Sequence, residues 1–422
     1  MSLNLLVNQE ELKRYLDEYG VWSKIFRALF VARNSKPLRS FCVHYAIKEL
    51  KEKTYNLELY QSLFEEFQDC FENEQLDVEW VESVTFHRKQ NLEQLRRELK
   101  AYKNNLIRES IRAAQLDLAS FFADVGQFDS ALRSYAKVRE YCTNAGQIAH
   151  LSLELMRISI WIGNYSHVLA FGSRAKSTVS AAMELTSPIY AYCGLANFCL
   201  GDYEEALAHF LKVETDTSDG IITKTDISVY ISLCALACWD HKRLIQELER
   251  NEEFNALSDL DPSLRRCLQA KCNRKYSLLL DTLQQNAQDY SLDMYLAPQL
   301  TNLFSLIRER SLLDYLIPYS ALPFSKIAVD FHIDENFIEK NLLEIIEAKK
   351  LNGKVDSLQK RVYIEPSSEP ENFEDIKNIA QTSLLYSKAL YLQTLAAMNT
   401  ENTDDEAPVI AQTNITAEDS QN

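Results

Sequence analysis

Three glycines constrain this chain more than any other feature. Gly126, Gly163 and Gly201 are spaced by 37 and 38 residues, and each opens the same local pattern. The first unit continues with Phe128, Ala131 and Leu132, the second with Tyr165, Val168 and Leu169, the third with Tyr203, Ala206 and Leu207. Such a unit is two antiparallel helices joined at the glycine. The aromatic seats the start of the second helix, and the small residue lets the two helices approach. Tetratricopeptide repeats use the same device at a period of about 34 residues. The spacing therefore predicts a TPR-like right-handed helical-repeat solenoid over residues 86–290. Turn-formers are scarce elsewhere too, with 9 Gly and 9 Pro among 422 residues, so the fold class is all-α dominated.

The flanking regions read differently. Residues 1–85 form an N-terminal helical region, in which Leu12, Tyr15, Leu16 and Tyr19 share one face and Leu57, Tyr60, Leu63, Phe64 and Phe67 another. The stretch Phe86–Ala114 is basic, with eight Lys/Arg against Glu93, Glu98 and Glu109, and without Gly or Pro it predicts one long continuous helix. Residues 291–366 change texture: a helix to Leu316, breaks at Pro318 and Pro323, a short helix 324–331 and a second helix 335–350. The hairpin Lys354, Val355, Asp356, then Arg361, Val362, Tyr363, Ile364, closed by a turn at 357–360, completes a winged-helix pattern. Residues 367–399 predict one further helix. Its stretch Leu384–Met398 is apolar at 11 of 15 positions, Leu384, Leu385, Ala389, Leu392 and Leu395 among them. Burying its large side chains is worth on the order of 10 kcal/mol, more than a small wing can supply, so partner helices are expected to cover it. Residues 400–422 carry six acids and no Lys or Arg, the composition of a disordered acidic tail.

Several function classes are disfavoured. The net charge of −16 argues against a nucleic-acid binder. Nine scattered cysteines read as reduced thiols of an intracellular protein, and the sequons at Asn164 and Asn414 as chance matches. No leader pattern and no membrane-spanning apolar run is present in the sequence. Phosphate-loop, GxGxxG, HExxH and GxSxG motifs are missing, and no His-x-His occurs, so no catalytic, metal or cofactor-binding residues are assigned. The pairs Cys193/Cys199, Cys234/Cys238 and Cys267/Cys272 lack the CxxC spacing zinc prefers and read as packing residues. The basic run 86–114 reads first as a solvated helix face, against an RNA or phosphate surface as its functional alternative and contact with an acidic protein partner as a compromise between them. The second helix of the wing region, ENFIEKNLLEIIEAKK, sets four glutamates against three lysines and would repel phosphates. The wing strands instead offer edge hydrogen bonds to another such domain.

Helical repeats feeding a winged helix and one last helix resemble the PCI-domain family. These are scaffold subunits shared by the proteasome lid, the COP-nine signalosome and a translation initiation complex. The runs LRRELKAYKNNLIRESIR (95–112) and REYCTNAG (139–146) are similar to the type common to the first two complexes. NYSHVLAFGSRAKST (164–178), ISVYISLCALACWDHKRL (227–244), LDMYLAPQL (292–300) and KVDSLQKRVYI (354–364) are similar to the signalosome branch. The resemblance implies a non-catalytic scaffold, without cofactors, in a nuclear and cytoplasmic complex that removes Nedd8 from cullins through a different, zinc-binding subunit. It implies other PCI and MPN subunits as partners, cullin-RING ligases indirectly, and neither nucleic acid nor membrane. By the same resemblance, the wing edge (Lys354–Asp356 and Arg361–Ile364) joins neighbouring winged helices, and helix 373–398 enters a bundle with one helix from each subunit. The alternatives are a proteasome-lid PCI subunit and a nucleic-acid-binding PCI protein.

Overall fold

The computed structural model describes residues 9–71, 76–178, 185–213, 220–364, 383–384 and 386–390. Residues 1–364 form one compact unit, and 365–422 a second.

The repeat glycines do what their spacing predicts. Helix pairs Arg108–Asp124/Phe128–Val138, Ala145–Ile162/Tyr165–Thr178 and Thr186–Leu200/Tyr203–Phe210 each turn at one of them. Gly126, Gly163 and Gly201 have φ of 83°, 84° and 87°, the left-handed region that a residue without Cβ enters at no steric cost. In each turn the residue after the glycine donates its N–H to the carbonyl five positions back: Gln127 to Phe122, Asn164 to Ser159, Asp202 to Asn197. Three Schellman-type ends thus recur in register. The small residues Ala131, Val168 and Ala206 are fully buried between the paired helices.

After residue 210 the pairs lose this regularity. Helices Lys224–Cys238, His241–Arg250, Glu252–Ser258, Pro262–Cys272 and Tyr276–Tyr290 continue the array and share its large core. Lys224–Cys238 is buried almost all round and serves as its axle.

The N-terminal helices Gln9–Asp17, Val21–Asn34, Arg39–Lys53 and Leu57–Glu66 enclose a core of their own, in which Leu12, Leu16, Tyr60 and Leu63 are fully buried as their periodicity requires. This core meets the first repeat through rings: Trp22 lies 5.1 Å from Phe128 and 6.3 Å from Trp161.

The long basic helix is not continuous. It runs Val78–Asn105, stops where Leu106 takes φ 54°, and restarts at Arg108. The break turns the chain back so that Leu92, Leu95 and Leu99 pack on Ile111, Ala114 and Leu118 of the following helix. A straight helix would have left both faces bare.

At the other end, helix Leu300–Leu316 leads into strand β1 (Ala321–Pro323), helix Phe324–Phe331, helix Glu335–Glu347, and strands β2 (Gly353–Asp356) and β3 (Arg361–Ile364). The strands form one antiparallel sheet in the order β1-β3-β2. Of the expected C-terminal helix 373–398, residues 383–384 and 386–390 are helical, and Leu384, Tyr386, Ala389 and Leu390 are exposed. Leu385, Leu392, Leu395 and the tail 400–422 lie outside the described residues.

Candidate protein interface

The wing sheet contains a strand that the hairpin pattern did not reveal. β1 pairs with β3 through Ala321–Tyr363, Leu322–Val362 and Pro323–Arg361, which makes β3 the central strand. The expectation that both hairpin strands offer a free edge is corrected accordingly. The strand Arg361–Ile364 is paired on both sides, and Val362 is fully buried in the wing core. The signal for β1 was present in the sequence only as three of the five residues between Pro318 and the next helix, too short for a period to show.

β2 and β1 are the terminal strands of the sheet. Pro323 blunts β1, because it has no N–H to offer. β2 has no such guard. Its geometry follows from one bond: the Ile364 N–H donates to the Ser320 carbonyl, so Val362 and Ile364 aim their backbone groups at β1. Arg361 and Tyr363 then face β2, where their partners are Asp356 and Lys354. Val355, between those two, directs its backbone away from the sheet, the position from which another strand is added.

Asp356 has a second duty. Its carboxylate accepts the N–H groups of Leu358 and Gln359, each at 3.0 Å, and so shapes the wing turn. The glutamates of the second helix also have a structural use. Glu335 pairs with Lys360 at 2.7 Å and Glu339 accepts from Ser357, pinning the wing to the helix.

A buried polar cluster ties the N-terminal helices to the repeat core. Arg27, on helix Val21–Asn34, is fully buried and donates to Asp226 and Asp293, both at 2.9 Å, and to the Tyr15 hydroxyl at 2.6 Å. Its guanidinium lies 4.1 Å from the Tyr19 ring centre, and the Tyr19 hydroxyl donates to Asp226. Tyr230 donates to Asp293, whose carboxylate also accepts the N–H groups of Tyr295 and Leu296. Four segments meet at this cluster: the 15–19 stretch, helix Val21–Asn34, helix Lys224–Cys238 and the turn at 293–296. Burial disfavours the Arg27 charge, but Asp226, Tyr15, Tyr19 and Asp293 outweigh it and hold its pKa well above the ordinary value. Two carboxylates share that one cation, and the deeper one yields. Burial pushes Asp226 up to about 6 against the pull of Arg27. Periodicity could not find this cluster; the runs ISVYISL and LDMYLAP, which hold Tyr230 and Asp293, were its only trace.

A second buried cation caps the far end of the axle helix. Lys271 donates to the Leu236 and Trp239 carbonyls, both at 2.8 Å, and lies 3.8 Å from Asp314. Burial lowers its pKa to about 8, with Asp314 pulling the other way. Both ends of Lys224–Cys238 are thus tied, one to the N-terminal helices and one to the helix that carries the wing.

The paired cysteines are packing residues in geometry as well as in spacing. Cys193, Cys234 and Cys267 are buried, and burial pushes the Cys267 and Cys199 thiols to about 12 and Cys238 to about 11. Among the described residues no three His, Cys, Asp or Glu side chains converge as metal ligands, and no helix is long and apolar enough to cross a membrane.

Two family models match the chain: 26S proteasome subunit RPN7 over residues 77–247 and the PCI domain over 283–366. The first begins at the long helix, and the second ends just beyond β3. Among curated proteins, the chain is 30% identical over 296 residues to COP9 signalosome complex subunit 1b of Drosophila melanogaster, a match that covers 68% of this chain and 56% of the relative. It is 27% identical to COP9 signalosome complex subunit 1 of Arabidopsis thaliana, covering 84% and 82%, and 28% identical to the protein of that name in Emericella nidulans, covering 84% and 75%. The chain thus spans little more than half the length of the fly relative.

Proposed function

The chain belongs to the PCI-domain family, in the signalosome subunit 1 branch, and from that premise we propose that it is a non-catalytic scaffold that supports removal of Nedd8 from cullins. One observation carries the reading: the similarity to signalosome subunits runs through both the repeat array and the wing, over 84% of the chain in two relatives. The active site of the assembly then lies on another subunit. Its other PCI and MPN subunits are the direct partners, cullin-RING ligases are reached indirectly, and the complex works in nucleus and cytoplasm.

The scaffold has two proposed contacts. β2 adds the wing to a neighbouring winged helix, with Lys354, Val355 and Asp356 at the joint and the Tyr363 side chain beside it. The apolar helix through Leu384, Leu385, Ala389, Leu392 and Leu395 enters a bundle of partner helices. Val355→Pro removes the outward N–H without touching the β2–β3 bonds, and should weaken assembly while the melting temperature stays within a degree or two. Leu385→Asp with Leu392→Asp should release the chain while its repeats stay folded.

A proteasome-lid role is the second reading, favoured by the RPN7 match, but that match is confined to residues 77–247. A nucleic-acid role is disfavoured by the −16 charge and by glutamates on the helix that would face phosphate. The test is a blot for Nedd8-modified cullin in cells lacking the gene. Accumulation that the restored chain reverses supports the proposal, and an unchanged ratio of modified to free cullin refutes it.

A further inference from the structure

The long helix Val78–Asn105 is poorly covered for its length. Of its 28 residues only Val84 and Leu99 are buried. Such a helix gains little from packing. An apolar stripe runs down its second half at three- and four-residue spacing: Leu92, Leu95, Leu99, Tyr102 and then Leu106 at its C-cap. The next helix covers the first three. The cover then runs out. Exposure climbs from 9% at Leu99 to 37% at Tyr102 and 84% at Leu106, with Ile107 at 53%. Leu106 also holds φ 54°, a conformation that a leucine occupies only at an energetic cost.

One flank of the stripe is basic. Arg96, Lys100 and Lys103 each directly follow a stripe residue, so they share the strip of surface one position further round the helix. All three are exposed, and none makes an ion pair among the described residues, whereas Arg97 is paired with Glu93 at 3.0 Å. The other flank carries Gln94 and Glu98, bonded to each other at 3.0 Å.

We infer that the Tyr102–Ile107 end of this stripe, with its Arg96/Lys100/Lys103 flank, is a docking surface for an amphipathic, acidic helix of a partner polypeptide. The apolar face of that helix continues the cover that Ile111 and Ala114 begin, and its carboxylates oppose the three cations. A nucleic acid fits less well. Three cations neutralise few phosphates on a chain of charge −16, and the apolar end would go unused. This surface belongs to the repeat array and is independent of the wing edge.

The test uses the full chain and a labelled synthetic peptide with leucines at i, i+3, i+4 and i+7 and glutamates along one flank, read by fluorescence anisotropy. Saturable binding is expected, weakened about tenfold or more by Leu106→Asp and by Lys100→Glu with Lys103→Glu. Raising salt from about 50 to about 300 mM should weaken it too. A peptide with lysine in place of glutamate should bind the doubly reversed variant and not the native chain. Leu106→Gly adopts the same backbone without strain. It should lose binding while the melting temperature holds or rises, which separates the contact from the fold. No saturable binding at about 1 mM peptide overturns the inference. So does equal binding of a scrambled peptide, or full binding by Leu106→Gly. A DNA duplex of about 20 base pairs that binds the native chain, loses affinity on Lys100→Glu with Lys103→Glu and ignores Leu106→Asp would assign the flank to phosphate and equally overturn it.

Discussion

Replacing Arg27 with methionine removes the cation that two buried carboxylates share. Asp226 already sits near pKa 6, pushed there by burial. At pH 7 it loses only about 1 kcal/mol more before it escapes by taking a proton. The bonds to Tyr15 and Asp293 add about 1 and about 1.5 kcal/mol. The total is about 3–4 kcal/mol, within the 3–5 kcal/mol range for breaking a buried pair on one side. Hydrogen exchange along helix Val21–Asn34 reads this locally: amide protection should fall by roughly a few hundredfold. The pH dependence has a definite sign. A raised Asp226 pKa means that the folded state holds a proton the unfolded chain has lost, so the native protein gains stability as pH falls through about 6. The variant, with a higher pKa, starts gaining from pH 7. The difference between the two should therefore narrow by about 1 kcal/mol between pH 7 and 6 and change little further below. A loss under about 1 kcal/mol, or a gap that widens in acid, would refute the shared-cation argument.

Other predictions rest on separate residues. Lys271→Met leaves two helix-end carbonyls without their donor and the buried Asp314 with Arg310 alone, 4.0 Å away, and should cost about 3 kcal/mol in denaturant unfolding. Gly126→Ala and Gly163→Ala both pay about 1 kcal/mol for φ above zero. Only at Gly126 does a Cβ strike a neighbour, the buried Asn56 side chain, so its melting temperature should fall several degrees further. His209 is held down to about 4 by burial, then by Lys176 and Lys212. Folded protein binds fewer protons than unfolded between about 4 and 6.5, so this contribution is present above 6.5 and lost as pH falls. After discounting for its partial exposure it is worth about 1 kcal/mol, and His209→Gln should flatten that part of the stability profile.

The helical repeats were legible because a glycine, an aromatic and a small residue at fixed offsets leave few alternatives: Gly126, Gly163 and Gly201 had to turn a helix pair. The winged helix was legible from two helices and a hairpin, but β1 was not, since three residues carry no period. That omission mattered, because it put Arg361–Ile364 at an edge when they occupy the middle of the sheet. The stop at Leu106 was hidden for a different reason. Leucine is a good helix former, and only the gain from folding Leu92, Leu95 and Leu99 onto the next helix forces the turn there. The Arg27–Asp293 bond joins positions 266 residues apart, and no local pattern encodes such a meeting.

Affinity purification of the tagged full chain from its own cells, with quantitative mass spectrometry, decides between membership of the signalosome and of another assembly. The other signalosome subunits should be recovered in near-stoichiometric amounts with the native chain and lost with Leu385→Asp/Leu392→Asp. Recovery of proteasome lid subunits instead, or of the native chain alone, would contradict signalosome membership.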